Sequence, residues 1–290
     1  VSLLVPALAL TSGLCSAVAT ILIRQGLRSG DWSTGLWINV AVGTAGFWLA
    51  AAVTGGPGRP SLTGTALFAL AGLIGTVGGR LFRFIALERV GTSITAALIN
   101  VNPLIASALA ILVLGERVTL PIVVGTIVIV AGTMLLSAGG RRAGVQRRYL
   151  VLPILSATCF GVVAVLRKLG LAEMGPVPGA AINATAALIA VSAFLLASRH
   201  RPAPRPLEGR SLAYFVAAGV AENGGVFLHI LALTVGTVSV VSPLTGAAPI
   251  FVLVLSQIFL RGIETTGSRV VAGTLLIVLG VYLVTALAGR

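Results

Sequence analysis

Apolar runs of about twenty residues follow one another from end to end of this chain, and that succession decides what it can fold into. A helix needs roughly 20 mainly apolar residues to cross the hydrocarbon of a bilayer. Ten stretches meet that length: about 3–24, 33–54, 62–87, 92–114, 119–138, 149–167, 177–198, 211–233, 237–260 and 267–288. The breaks between them are short and collect Gly, Pro and charge, as in Gly55-Gly56-Pro57-Gly58-Arg59-Pro60. None is long enough to hold a soluble domain. Charged residues make up 9% of the chain, against roughly 25% in a soluble domain, so lipid must be the solvent for most of its surface. Barrel strands are runs of about ten residues with alternating polarity; these runs are longer and uniformly apolar, so the spans are helices. The expected fold class is therefore all-α integral membrane, with ten transmembrane helices. The first run has no basic segment before it and many apolar runs after it, which reads as a span and not a cleaved leader.

The net charge of +13 invites a nucleic-acid reading. The positions of the charges exclude it. Arg141, Arg142, Arg147 and Arg148 fall in one break, and Arg199, Arg201, Arg205 and Arg210 in another. That is how loops held at an anionic membrane face look, and no basic helix face alternates with stacking aromatics. A multi-pass protein of the cell (plasma or inner) membrane follows. Cys15 and Cys159 lie inside apolar runs, which excludes a secreted disulfide framework and reads as two small buried hydrophobes. Trp32, Trp37 and Trp48 are expected near the interfaces.

The chain also repeats itself. Cys15–Leu27 aligns without gaps on Cys159–Leu171, a shift of 144, which also places Ile38-Asn39 on Ile182-Asn183. At a shift of 145, Gly79, Phe82, Ile85 and Val90-Gly91-Thr92 match Gly224, Phe227, Ile230 and Val235-Gly236-Thr237. At 148, Glu116, Gly125-Thr126 and Gly132 match Glu264, Gly273-Thr274 and Gly280. The chain divides into a five-helix repeat over 1–138, a basic connecting loop over 139–148 and a second five-helix repeat over 149–290. An odd number of spans per repeat turns the second over relative to the first. Two inverted bundles can rock about a site near the midplane.

Each repeat closes on Pro, an apolar run, Glu and spaced glycines: Pro103, Leu114-Gly115-Glu116 and Gly125 to Gly132, then Pro249, Glu264 and Gly273 to Gly280. This pattern resembles the EamA domain of the drug/metabolite transporter superfamily, present twice and covering essentially the whole chain. Leu260-Arg261-Gly262-Ile263-Glu264 departs from it by spreading out the Leu-Gly-Glu motif. The resemblance implies two inverted five-helix halves around a central cavity lined by helices 1, 3, 4, 6, 8 and 9. It also implies a secondary permease or exporter of a small metabolite, such as an amino acid or related compound, working by alternating access. A lipid or carrier-lipid flippase of the same fold is the first rival and an intramembrane enzyme the second. On orientation two arguments differ. The bias of arginines toward the loops after helices 1, 3, 5, 7 and 9 places that side in the cytoplasm, whereas the resemblance implies cytoplasmic termini.

Charges inside spans are costly and mark candidate sites. Helix 3 carries Arg80 and Arg83, and helix 8 carries Glu222 and His229. Arg80 and Arg83 are three apart and share a face; Glu222 and His229 are seven apart and also share one. Arg80 suits a carboxylate or phosphate, and Glu222 suits a proton, the candidate coupling ion. The structural alternatives are an Arg80–Glu222 ion pair and an Arg83 that snorkels to the helix end. Asn100 and Asn102 flank a turn that Pro103 loosens in helix 4, where freed carbonyls and amides face either a substrate or a neighbouring helix. Pro243 and Pro249 suggest a similar bend in helix 9. Asn39 and Asn183 are expected to make interhelical bonds, and Gly125, Gly132, Gly273 and Gly280 to permit close helix contact. No catalytic cluster, metal-ligand spacing or P-loop is present, so no enzyme, metal or cofactor is expected. The expected partners are the small-molecule substrate, the bilayer and, for the assembly, a monomer or homodimer.

Overall fold

A computed structural model describes residues 3–54, 61–90, 95, 98–137, 147–197, 209–259 and 268–286. Among the described residues the chain is helical, without strands. Helix α1 is Leu4–Gly26 and α2 is Trp32–Val53. Helix α3 runs as Leu62–Leu73, a π-helical stretch Ile74–Arg80, and Leu81–Arg89. Then come α4 (Asn102–Leu114), α5 (Leu120–Ser137), a single 3-10 turn (Arg147–Leu150), α6 (Val151–Leu171), α7 (Pro176–Ala197) and α8 (Gly209–Val235). Helix α9 is in two pieces, Val238–Thr245 and Ala248–Phe259, and α10 is Ser268–Ala286. Six of these, α1, α2, α3, α6, α7 and α8, are long and apolar enough to cross a membrane; α4, α5, α9 and α10 are shorter apolar helices. The expectation of ten full-length spans is met by six. The shorter helices fall short where breaks interrupt α4 and α9, and where neighbouring stretches lie outside the described residues.

Local chemistry sets several boundaries. Asp31 caps α2 by accepting from the Ser33 amide at 3.0 Å, and Ser61 caps α3 through the Gly64 amide at 3.3 Å, each satisfying a donor left over at a helix start. Gly115 ends α4 in the left-handed region, φ 64°, with its amide on the Ala110 carbonyl. Only glycine adopts that turn without steric cost.

Helices of one half pack chiefly on helices of the other, and the most extensive of these contacts have counterparts when the halves are exchanged. Helix α1 packs on α8 as α6 packs on α3; α2 packs on α8 as α7 packs on α3; α1 packs on α9 as α6 packs on α4. The pairs α2–α7, α4–α9 and α5–α10 map onto themselves. Single bonds obey the same exchange. Ser12 Oγ donates to the Gly225 carbonyl at 2.8 Å, and Ser156 Oγ, its repeat counterpart, donates to the Gly79 carbonyl at 2.8 Å. Phe215 fills the space over Gly26 and Gly35, and Phe68 fills the space over Gly170 and Gly179. On α5 and α10, a Cβ on Gly125 would stand 2.9 Å from the Gly280 carbonyl oxygen, and one on Gly132 would stand 2.7 Å from that of Gly273. These glycines meet across the two-fold and let the backbones close in, as the spacing suggested. Of the matched landmarks of the repeat, Gly91, Thr92 and Glu264 lie outside the described residues.

Outward faces carry Leu49, Leu112, Leu196 and Leu275, all exposed. Exposed leucines on every side of the bundle are what lipid contact permits. Trp37 and Trp48 are also exposed, yet each ring N–H is occupied: by Ser192 Oγ at 3.0 Å and by Thr185 Oγ1 at 2.8 Å. They tie α2 to α7 at the outer surface.

Candidate functional site

Between the halves lies a cavity of about 740 Å³, a size suited to a small metabolite. Its walls come from α1, α3, α4, α6, α8 and α9, as the resemblance implied, with α2, α7 and Leu136 of α5 added. All six candidate residues read from the sequence line it: Arg80, Arg83, Asn100, Asn102, Glu222 and His229.

Their pairing differs from expectation. The ion pair joins Arg83 Nη1 to Glu222 Oε1 at 3.6 Å, with the two side chains 17% and 12% exposed. Arg83 Nη2 also donates to Thr20 Oγ1 at 2.8 Å. Arg83 therefore does not snorkel, and it replaces Arg80 as the partner of Glu222. Arg80 Nη1 donates instead to Asn39 Oδ1 at 3.1 Å. The cause is the π stretch: its closing bond runs from the Leu81 amide to the Thr76 carbonyl, five residues back. The wider turn changes the angle between residues that an uninterrupted α-helix would stack on one face. Gly75, Gly78 and Gly79 make room there for Val163, Cys159 and Phe160 of α6.

Three charged cavity residues were missed, Arg24, Asp31 and Arg167. Arg167 on α6 lines the cavity and donates from Nε to Asn183 Oδ1 at 3.2 Å. Beside Lys168 at the end of a span it looked like an ordinary interfacial base. The signal was the repeated asparagine: Asn39 and Asn183 hold equivalent places, and each orients one arginine toward the cavity. Asn39 is itself fixed by Asn223, whose Nδ2 donates to the Asn39 carbonyl at 2.9 Å. Arg80 is within electrostatic reach of Glu222 and Arg83, and Arg167 of Arg80. His229 Nδ1 lies 3.3 Å from Thr245 Oγ1.

Helix α4 restarts at Asn102 after a turn at Asn100-Val101, where the Val101 amide reaches the Leu98 carbonyl at 3.3 Å. Pro103 thus stands in the first turn, where its missing donor costs nothing, and not inside a kinked continuous helix. Helix α9 restarts in the same way at Ala248-Pro249. Asn102, Pro103, Ala248 and Pro249 all line the cavity, so two first turns, with their partial positive charge, border it. Five buried polar atoms of lining residues have no hydrogen-bond partner among the described residues: Thr95 Oγ1, Asn100 Nδ2, Asn102 Oδ1, Glu222 Oε2 and Ser242 Oγ. Leaving such groups unpaired is costly.

The cavity's two ends differ. Its lining reaches the α1–α2 connection at Arg24, Leu27, Gly30, Asp31 and Trp32, and includes nothing of the α8–α9 turn. Trp32 is thus a cavity residue as well as an end-of-span aromatic. At the α8–α9 turn, Glu116 accepts from the amides of Val238 and Ser239 at 2.8 and 3.0 Å and from the Ser239 hydroxyl. Thr237 caps α9 without a side-chain bond, so the carboxylate thrown across from Gly115 supplies the cap. Lys168 Nζ donates to the carbonyls of Leu233 and Gly236 at 2.7 and 2.8 Å and closes the end of α8. Arg24, its repeat counterpart, is exposed and makes no hydrogen bond or ion pair among the described residues.

Comparison with known proteins agrees with this architecture. The EamA-like transporter family matches the chain over residues 4–138 and 147–286. Among curated proteins nothing matches. Chains of solved structures match in number, 29 in all. One, described as "Crystal structure of protein", superposes with a TM-score of 0.81 over 99% of this chain and 98% of its own, at 20% identity. At that identity the likeness speaks to the fold.

Proposed function

The chain belongs to the EamA-like transporter family, and from that premise we propose that it is a secondary transporter moving a small metabolite, such as an amino acid or related compound, by alternating access. In this reading the chain crosses the membrane ten times, in two inverted repeats over 1–138 and 149–290. The single observation that carries it is the difference between the cavity's ends. Glu116 and Lys168 seal the α8–α9 end, while Arg24, the counterpart of Lys168, lines the cavity at the other and is unbonded among the described residues. Inverted repeats interchange such states by swapping the conformations of their halves. Substrate enters at the α1–α2 end, and rocking then exposes it at the α8–α9 end.

Glu222 is the natural coupling group in this scheme. One of its oxygens pairs with Arg83 and the other has no partner. Protonation weakens the hold on Arg83 and so joins proton binding to movement of α3 against α8. Proteoliposomes carrying the purified protein test the scheme. The expected result is solute uptake driven by a pH gradient, lost in Glu222→Gln, with solute exchange retained in the variant. Gradient-driven uptake that survives the substitution removes the coupling role. Absence of exchange for every solute tried removes the transporter reading itself.

A further inference from the structure

We propose that the cavity's cargo is a small dianion, a dicarboxylate or a phosphate monoester, held between Arg80 of the first half and Arg167 of the second. This rests on the transport reading and narrows it. Among the described residues four arginines line the cavity, Arg24, Arg80, Arg83 and Arg167, against two carboxylates, Asp31 and Glu222. Asp31 is engaged as the cap of α2, and Glu222 is paired with Arg83. Arg80 and Arg167 are left with a neutral amide oxygen each.

A guanidinium has five N–H donors; each of these two makes one side-chain hydrogen bond. Placing two such charges within electrostatic reach of one another, inside a bundle with an apolar exterior, is costly without counter-charge. Glu222, within reach of Arg80, is already paired with Arg83, and among the described residues no carboxylate pairs with Arg80 or Arg167. The asparagines hold both side chains in fixed poses, which is the preorganisation a binding site needs and a salt bridge for stability does not. Carboxylate and phosphate match the planar guanidinium fork. The first turns at Asn102 and Ala248 add partial positive charge on the same cavity, and the unpaired Asn100 Nδ2, Thr95 Oγ1 and Ser242 Oγ offer neutral donors for the rest of the molecule. A zwitterion brings no net charge and leaves the excess of two arginines standing; a dianion cancels it. Because Arg80 and Arg167 come from opposite halves, the bound anion also bridges the two bundles that must move together.

The test is counterflow in proteoliposomes preloaded with succinate, glycerol 3-phosphate, acetate or alanine, with thermal unfolding of the unmodified protein in each solute. Succinate or glycerol 3-phosphate should exchange at least tenfold faster than acetate or alanine and should raise Tm by several degrees. Which of the two is faster separates carboxylate from phosphate. Arg167→Gln and Arg80→Gln should each lower dianion exchange at least tenfold, with Arg167→Lys retaining part of it. Faster exchange of alanine than of either dianion overturns the assignment while leaving the transporter reading intact. Wild-type rates in Arg167→Gln overturn the bridging role. If the glutamine variants fail to fold, the Tm comparison on the unmodified protein decides: stabilisation by alanine or acetate equal to that by the dianions sinks the proposal. No exchange of any of the four solutes, with no Tm response, rejects it together with the reading beneath it.

Discussion

Helices α3 and α8 hold corresponding places in the two halves, and they differ in almost everything except how they pack. Both plug a fully buried phenylalanine, Phe68 or Phe215, into a glycine pair of the opposite half. Yet α3 contains a π stretch and lines the cavity with two arginines, while α8 is an unbroken helix that lines it with a glutamate and a histidine. Packing surfaces obey the pseudo-two-fold because both halves must bury the same shape. Cavity surfaces depart from it because a small solute has no two-fold symmetry to match. The same division separates Lys168, bonded to α8, from Arg24, bonded to nothing in the described protein.

The largest test of that division is steric. A Cβ on Gly72 would stand 2.1 Å from the Asn183 carbonyl oxygen, whereas one on Gly219, the corresponding glycine of α8, would meet Val42 Cβ at 3.0 Å. A backbone oxygen cannot step aside. Gly72→Ala should cost about 3 kcal/mol and Gly219→Ala under about 1 kcal/mol, within the range for overpacked cores. Thermal and denaturant unfolding in micelles measure both; equal losses would mean that the likeness in packing extends from the phenylalanine seats to this contact as well.

A second test concerns the ends of the cavity. Hydrogen bonds to charged groups contribute about 1.5–3 kcal/mol, and Lys168 makes two. Lys168→Met should move the population toward the state open at the α8–α9 end by roughly tenfold or more, since about 1.4 kcal/mol corresponds to a factor of ten. Arg24→Met should move it the other way. Spin-label distances across the α8–α9 end read the shift, and a shift of the same sign in both variants would break the proposed exchange of conformations.

The smallest effect sharpens the symmetric side. Ser12→Ala and Ser156→Ala each remove one interhelical hydrogen bond of equal length, for which about 0.6 kcal/mol is typical within membranes. Reversible unfolding should give two losses equal within error. A clear inequality would show that even the packing contacts are not interchangeable.

Much of this was legible before any coordinates. The apolar runs, the repeat and the closing Pro–Glu–Gly pattern pointed to the helical bundle and to its family, and the costly charges of α3 and α8 pointed to the cavity. The glycines of α5 and α10 were legible too, because spaced small residues serve only close approach. Arg167 was not, since a basic residue at the end of an apolar run is the commonest thing in a membrane protein. The meaning of Glu116 was also hidden: as part of a motif it could mark a family, but its use as a cap for α9 needs the distant turn it reaches.

The sequence by itself determined that the chain is a helical, lipid-solvated bundle built twice over, because hydrophobic length and repetition are properties of the chain read in order. Only the tertiary structure decided that Glu222 meets Arg83 and not Arg80, that two asparagines aim two arginines into one cavity, and that Lys168 closes one end while Arg24, at the other, has no bond among the described residues. The physical reason is range. Hydropathy and periodicity are summed along the chain, whereas a charge chooses its partner by angles of a few degrees and distances of a few ångströms, and one π turn in α3 is enough to change both.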